Sequence, residues 1–329
     1  MSQASLHVVG IGNAIVDVIA HADDAFIETN GLEKGAMTLI DAGRAEELYG
    51  RMGPGIEMSG GSAGNTMAGI ASLGGKGAYI GKVSDDQLGA VFRHDIRAIG
   101  VQFDSAPLTG GAPTARCLIL VTPDAQRTMN TFLGACVELG PDDIDAALIQ
   151  SAQVTYLEGY LWDKPLAKEA FLKAAKLAHA GGRKLSLTLS DSFCVHRHRA
   201  EFSDLVDNHV DILFGNEHEI MALYETDSFD QAVAAVRGRC ETVVLTRSEK
   251  GSVVVTADDI FEVPAEKIER LVDTTGAGDL FASGFLYGYT NGRSLTDSAR
   301  IGAIAAAEII SHVGARPEVI LSDLVSSKL

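Results

Sequence analysis

The chain has 329 residues, a length that suits about two domains and lets folding bury about 75% of the surface the unfolded chain exposes, so neither metal nor disulfide is needed for stability. Its 27 Lys and Arg against 44 Asp and Glu leave a formal charge of −17, which repels phosphate backbones and anionic lipid and sets nucleic acid and membrane surfaces aside as partners. Hydrophobic residues at 46% and charged residues at 22% describe a globular chain, and four cysteines without a C-x-x-C pair write neither a zinc site nor a disulfide framework, so a reducing, cytoplasmic compartment is expected.

In chain order, Leu6 to Ile11 reads as a buried strand that lacks a basic leader. Ala14 to Ala20 with Ala36 to Ile40 reads as strands without an intervening helix. A helical pattern follows at Ser62 to Leu73, then a strand at Ala78 to Val83 and a helix at Gln87 to Ile99. Thr114 to Val121 and Gln126 to Leu133 form a second strand pair, joined by the Thr122-Pro123-Asp124-Ala125 turn. Strands at Val154 to Leu157, Leu185 to Leu189, Ile212 to Phe214 and Val243 to Thr246 then alternate with helices at Lys164 to Ala180, Glu217 to Tyr224 and Phe229 to Gly238. Such alternation predicts a mostly parallel sheet covered on both faces, with ligands at the carboxyl ends of its strands. The helix-poor segments predict a small β lid, so the expected division is 1–13, 42–112 and 134–329 for the large domain and 14–41 with 113–133 for the lid.

The opening Gly10-Ile11-Gly12 lacks a third glycine, because position 15 is Ile, and no helical pattern follows, so a dinucleotide fingerprint is excluded. No lysine carries the spacing of a P-loop either. Asp273-Thr274-Thr275-Gly276-Ala277-Gly278-Asp279 enters a helical run whose first amides and dipole predict an anion hole. Asp279, in the first turn, is a candidate acceptor for a substrate hydroxyl proton, with a pKa expected low from the dipole. Gly60-Gly61-Ser62-Ala63-Gly64-Asn65 also enters a helix, where small residues let a polyol approach the backbone and Asn65 offers donor and acceptor. Asn13 and Asp17 follow the first strand, where a carboxylate can accept bonds from adjacent hydroxyls. Cys194, His196 and His198 have no second pair to complete a metal site. The final Ser327-Lys328-Leu329 spells a peroxisomal address, which has meaning only in a eukaryotic host.

The two glycine-rich segments resemble the paired signatures of the ribokinase-like (PfkB) carbohydrate and nucleoside kinases, and the order of elements matches over nearly the whole chain. Within that family, His209 to Glu217, Val154 to Tyr160 and Gly12 to Asp17 are most similar to the adenosine-kinase branch. The resemblance implies a three-layer α/β/α fold with a β lid, and transfer of the γ-phosphate of ATP to a 5′-hydroxyl. It implies that Asp279 is the base, with Gly276, Ala277 and Gly278 as the anion hole. Asn13, Asp17, Gly61, Ser62 and Asn65 then hold ribose, and Tyr160 meets the base. It further implies Asn216 and Glu219 for Mg²⁺ and phosphate, with Glu219 acting through water, and Thr246 and Gly251 near the nucleotide. Asp273 and Thr275, with backbone near Gly314, match a K⁺ or other monovalent-cation site in some members. Thr275 departs from adenosine-kinase usage toward that of sugar kinases, and Arg116 stands in the lid where a small residue is expected, either reaching phosphate or capping the strand edge. A ribokinase- or fructokinase-type sugar kinase, and a catalytically silent ligand-binding member, stay open. The expected partner is a small-molecule nucleoside or sugar, and the chain is expected to be a monomer or homodimer.

Overall fold

The computed structural model describes residues 4–124 and 126–329. The thirteen strands among them are β1 (Leu6–Ile11), β2 (Ile15–His21), β3 (Met37–Leu39), β4 (Gly55–Gly60), β5 (Gly77–Ile80), β6 (Ala115–Val121), β7 (Arg127–Phe132), β8 (Ala152–Glu158), β9 (Lys184–Thr188), β10 (Ile212–Asn216), β11 (Thr242–Thr246), β12 (Ser252–Val255) and β13 (Ile260–Val263). Eight form one sheet in the order β13-β12-β11-β10-β9-β8-β1-β5. The pairs from β5 to β11 are parallel, and β12 and β13 extend them antiparallel.

Neighbouring residues of these strands feed opposite faces, as the pleat requires. Val9, Leu213 and Val243 pack with Phe171 and Ala174 of the helix Pro165–Ala180, whereas Val8, Ile212 and Val244 pack with Met67 of the helix Ser62–Ser72 and Phe285 of the helix Ala277–Thr290. The sheet is therefore covered on both sides, and the two glycine-opened helices lie together on one face. Small residues let them touch, since a Cβ on Gly69 would stand 2.2 Å from Ser283 Oγ. That contact brings two segments about 220 residues apart in sequence to one place.

The lid is a five-stranded sheet in the order β3-β7-β6-β2-β4. Its fifth strand corrects the expected boundary, because Gly55–Gly60 pairs antiparallel with β2 from Ile15↔Gly60 to Ala20↔Gly55 although the sequence reading gave it to the large domain. Gly-Ile-Glu-Met-Ser-Gly has little β-branched character, and only the long-range pairing makes it a strand. The helix Asp24–Thr29, capped by Asp23, also interrupts the run expected to be free of helices. In the turn between β6 and β7, Asp124 accepts from Thr122 Oγ1 at 2.6 Å, while Ala125 lies outside the described residues. Among the described residues, no helix is long and apolar enough to cross a membrane. Ser327 and Lys328 belong to the terminal helix Leu321–Lys328, and Lys328 pairs with Glu266 at 2.7 Å rather than extending as a free tail.

Candidate active site

Strand ends of the large sheet line up by register. Ile11 stands beside Leu157, Glu158 beside Thr188, and Asn216 beside Thr246. Just past Ile11 the chain turns into the lid, so Asn13 and Asp17 lie where the two sheets meet the helix entrances.

The entrance to Ala277–Thr290 is built on Gly276, whose φ of 78° is left-handed and suits glycine. The amide of Ala277 is spent on the carbonyl of Thr274 at 3.2 Å. The amides of Gly276, Gly278 and Asp279 find no acceptor among the described residues, and a Cβ on Gly278 would meet nothing within 4 Å. An open cradle of donors at a helix N-terminus suits an anion. Asp279 sits half-buried beside it. Its Oδ1 accepts from Ser62 Oγ at 2.6 Å and its Oδ2 from Asn65 Nδ2 at 3.0 Å. Burial raises its pKa, opposed by those two hydrogen bonds and by the Arg316 charge. The low pKa expected from the helix terminus is thus corrected: loss of hydration outweighs the two hydrogen bonds and the Arg316 charge, which leaves a better proton acceptor than an exposed aspartate.

The other entrance is packed tightly. Gly61 has φ 83°, and a Cβ there would lie 2.2 Å from the Asn13 carbonyl oxygen. Glu158, at the end of β8, is buried and accepts from Asn13 Nδ2 and from the Ala63 amide, both at 2.8 Å. Burial pushes its pKa up to about 7 against those bonds. The amide oxygens of Asn13 and Asn65 are buried without a partner. Two such acceptors at one site call for donors from outside the protein.

The Asp17 carboxylate accepts no hydrogen bond from the described residues, and burial pushes its pKa up to about 6 despite Arg316 and Arg127 nearby. It lies on the lid face shared by Ile15, Ile19, Cys117, Ile119 and Met129, an apolar cluster interrupted by Asp17 and Thr131. Arg116 alternates to the opposite face, where it pairs with Glu46 at 2.6 Å and stacks over Tyr49. It therefore secures the strand to the helix Ala42–Arg51 and caps no strand edge, because β6 lies between β7 and β2. Tyr160 lies in the turn Gly159–Asp163, 38% exposed, with its hydroxyl donating to the Ser190 carbonyl at 3.2 Å.

Asn216 and Glu219 form a capping box at the start of the helix Glu217–Leu223. Glu219 is only 5% exposed, and burial pushes it up to about 7. One buried carboxylate at a strand end fits a Mg²⁺ ion that keeps its waters and binds mainly through phosphates. Thr246 closes β11 in register with Asn216. Gly251 is constrained by packing, since a Cβ there would lie 2.1 Å from the Val263 carbonyl oxygen.

Asp273 fits a cation poorly. Its Oδ1 accepts from the amide and hydroxyl of Thr275 at 3.0 and 2.8 Å, and its Oδ2 from the Gly314 amide at 3.0 Å and from the Arg127 guanidinium. Those four bonds use the roughly four lone-pair sites of a carboxylate. Although burial alone would raise its pKa, the donors hold it below the usual range. Arg127, from the lid, already brings the positive charge.

Two residues here were given no role from sequence. Glu158 left a signal, a lone acid closing the apolar run Val154 to Leu157. Arg316 left none, being one arginine in an irregular loop. Two surface depressions, one lined by Asp86, Arg93, His94 and Arg97 and another by Cys240, Glu241, Thr256 and Tyr289, include none of the candidate residues.

Comparison with known proteins identifies the family to which the chain belongs. A profile described as pfkB family carbohydrate kinase matches residues 39–320. A solved structure of adenosine kinase from Sinorhizobium meliloti is 56% identical and superposes with a TM-score of 0.91, covering 99% of this chain and 100% of that one. A probable sugar kinase from Rhizobium etli is 53% identical with a TM-score of 0.92, covering 99% of each chain. Among curated relatives, the adenosine kinase of Saccharomyces cerevisiae is 26% identical over 92% of this chain and 94% of its own length. A 5-dehydro-2-deoxygluconokinase of Shouchella clausii is 29% identical over 77% and 80%.

Proposed function

Starting from the chain's membership of the pfkB family of carbohydrate kinases, and hence from a phosphotransferase with an alcohol acceptor, we propose that it phosphorylates the 5′-hydroxyl of a nucleoside, adenosine first among them, at the expense of ATP. The observation that carries the choice of acceptor is the lid face beside Asp17. Ile15, Ile19, Cys117, Ile119 and Met129 make it apolar, as a flat base requires and a free sugar does not. Asp17 and the unpaired amide oxygens of Asn13 and Asn65 suit the hydroxyls of a ribose.

In this reading the 5′-oxygen attacks the γ-phosphorus in line, the bond from that phosphorus to the ADP oxygen breaks, and the hydroxyl proton passes to Asp279. Ser62 and Asn65 hold the carboxylate in place for that transfer, and its raised pKa brings it nearer to the working pH. The free amides at Gly276 and Gly278 receive charge on the transferred group, and positioning with electrostatics supplies most of the catalysis in such loose transition states. Mg²⁺, when bound, would neutralise phosphate charge, and Asn216 and Glu219 are the residues that would help to hold it. Lid residues keep water from the bound nucleotide.

A sugar kinase is the second reading, favoured by buried Glu158 at the polyol end of the site and by the Rhizobium etli relative. An anionic sugar acid would face Asp17, Glu158 and Asp279 together. A coupled ADP-release assay with adenosine, inosine, guanosine, ribose and fructose decides between the readings. Adenosine is expected to exceed the free sugars in kcat/KM by about 10-fold or more, and a preference for ribose or fructose would overturn the nucleoside assignment.

A further inference from the structure

The chain crosses from lid to large domain at Gly60 and Gly61. Gly60 ends β4, Gly61 has the left-handed φ noted above, and Ser62 starts a core helix. Arg316, on the loop after the helix Leu295–Ile309, grips both sides of this crossing. Its Nε donates to the Ser59 carbonyl at 3.0 Å, and Nη2 donates to the same carbonyl and, at 2.9 Å, to Ser59 Oγ. Its Nη1 donates to the Gly64 carbonyl at 2.8 Å.

Ser59 is fully buried and held from the other side. Asp95, on the helix Gln87–Ala98, accepts from its amide at 2.8 Å and from its hydroxyl at 2.5 Å. One planar guanidinium thus ties the last lid residues to the first turn of the core helix. A lysine, being a single point of charge, cannot reproduce that fork. Arg316 also lies within charge range of Asp95, of the lid carboxylate Asp17 and of the proposed base Asp279.

We infer that Arg316 is a positioning residue that clamps the Gly60–Gly61 crossing and so holds lid-borne Asp17 against the same substrate that Asp279 serves. The kinetic half of this inference rests on the kinase reading above; the structural half does not.

The test combines amide hydrogen exchange with steady-state kinetics on Arg316→Gln and Arg316→Lys. In Arg316→Gln, exchange over residues 57–66 should quicken about tenfold, while β1 and the helix Leu295–Ile309 keep their protection. The acceptor KM should rise about tenfold, with kcat at saturation changed by less than about threefold. Arg316→Lys keeps the charge and loses the fork, so it should show most of both shifts. Wild-type exchange and KM in the lysine variant would overturn the clamp, as would faster exchange spread evenly over the molecule. If Arg316→Gln does not fold, Ser59→Ala, which deletes the hydroxyl shared by Asp95 and Arg316, should show the same localised loosening, and its absence overturns the inference. Should the unmodified protein phosphorylate none of the nucleosides or sugars, the functional proposal fails while the exchange pattern still decides the clamp.

Discussion

Gly61 and Gly276 both precede helices with positive φ, 83° and 78°, and neither helix has a side-chain cap. Around the first entrance the missing side chains make room for protein: a Cβ on Gly61 would strike the Asn13 carbonyl oxygen at 2.2 Å, and one on Gly12 would strike the Glu158 carboxylate at 2.3 Å. At the second, a Cβ on Gly278 would meet nothing within 4 Å. Similar glycine patterns therefore serve different ends. One is a packed joint between lid and core; the other leaves backbone donors uncovered for a ligand.

The sharpest way to separate them starts at the open entrance. Asp279→Ala is expected to lower kcat by roughly 10²- to 10⁴-fold while acceptor affinity, measured by calorimetry, stays within a few-fold. Unchanged turnover would falsify the base assignment. Gly278→Ala comes next. Its methyl group finds space in the protein but adds bulk among the free amides that a phosphoryl group must approach, so turnover should fall about 10²-fold with the melting temperature nearly unmoved. A melting temperature that drops along with activity would mean that this glycine, too, is structural.

Gly61→Ala should behave in the opposite way. Left-handed strain together with overpacking against the Asn13 carbonyl should cost about 2–4 kcal/mol of stability, read from urea midpoints, before any effect on chemistry. If it unfolds like the wild type, the packed-joint description fails.

The smallest expected effect concerns pH. Glu158, at the packed joint, is pushed from 4.5 up to about 7, so the folded state binds its proton more tightly than the unfolded chain does. Stability from this group is full below about pH 4.5 and is lost as pH rises toward 7. Asp17 acts in the same direction between 3.8 and about 6. Glu158→Gln should remove on the order of 2 kcal/mol of that pH dependence, seen as a flatter melting-temperature profile from pH 5 to 8. An unaltered profile would place the titration elsewhere.

Much of the architecture was legible because it is local. Strand-length apolar runs, helical periodicity and the two glycine segments each announce themselves within about ten residues. What escaped depends on distant partners. Gly55–Gly60 becomes a strand only by pairing with β2. Glu219, which without the family match reads as a solvated helix residue, is 5% exposed because the capping box and neighbouring strands close over it. Asp279 reads as acidic from its helix position, yet its burial reverses that shift. Asp273, which only the family resemblance offers as a cation ligand, has its remaining site filled by Arg127, 146 residues away.

Composition and order alone determined that this is an acidic α/β protein with two glycine-opened helices and a β-rich insertion, since periodicity and backbone permissiveness are properties of short segments. Only the tertiary structure decided which entrance is open, which carboxylates hold their protons more tightly, and that Arg316 spans the lid crossing. Those outcomes follow from desolvation and from contacts between residues as many as 257 positions apart, and no local pattern encodes either.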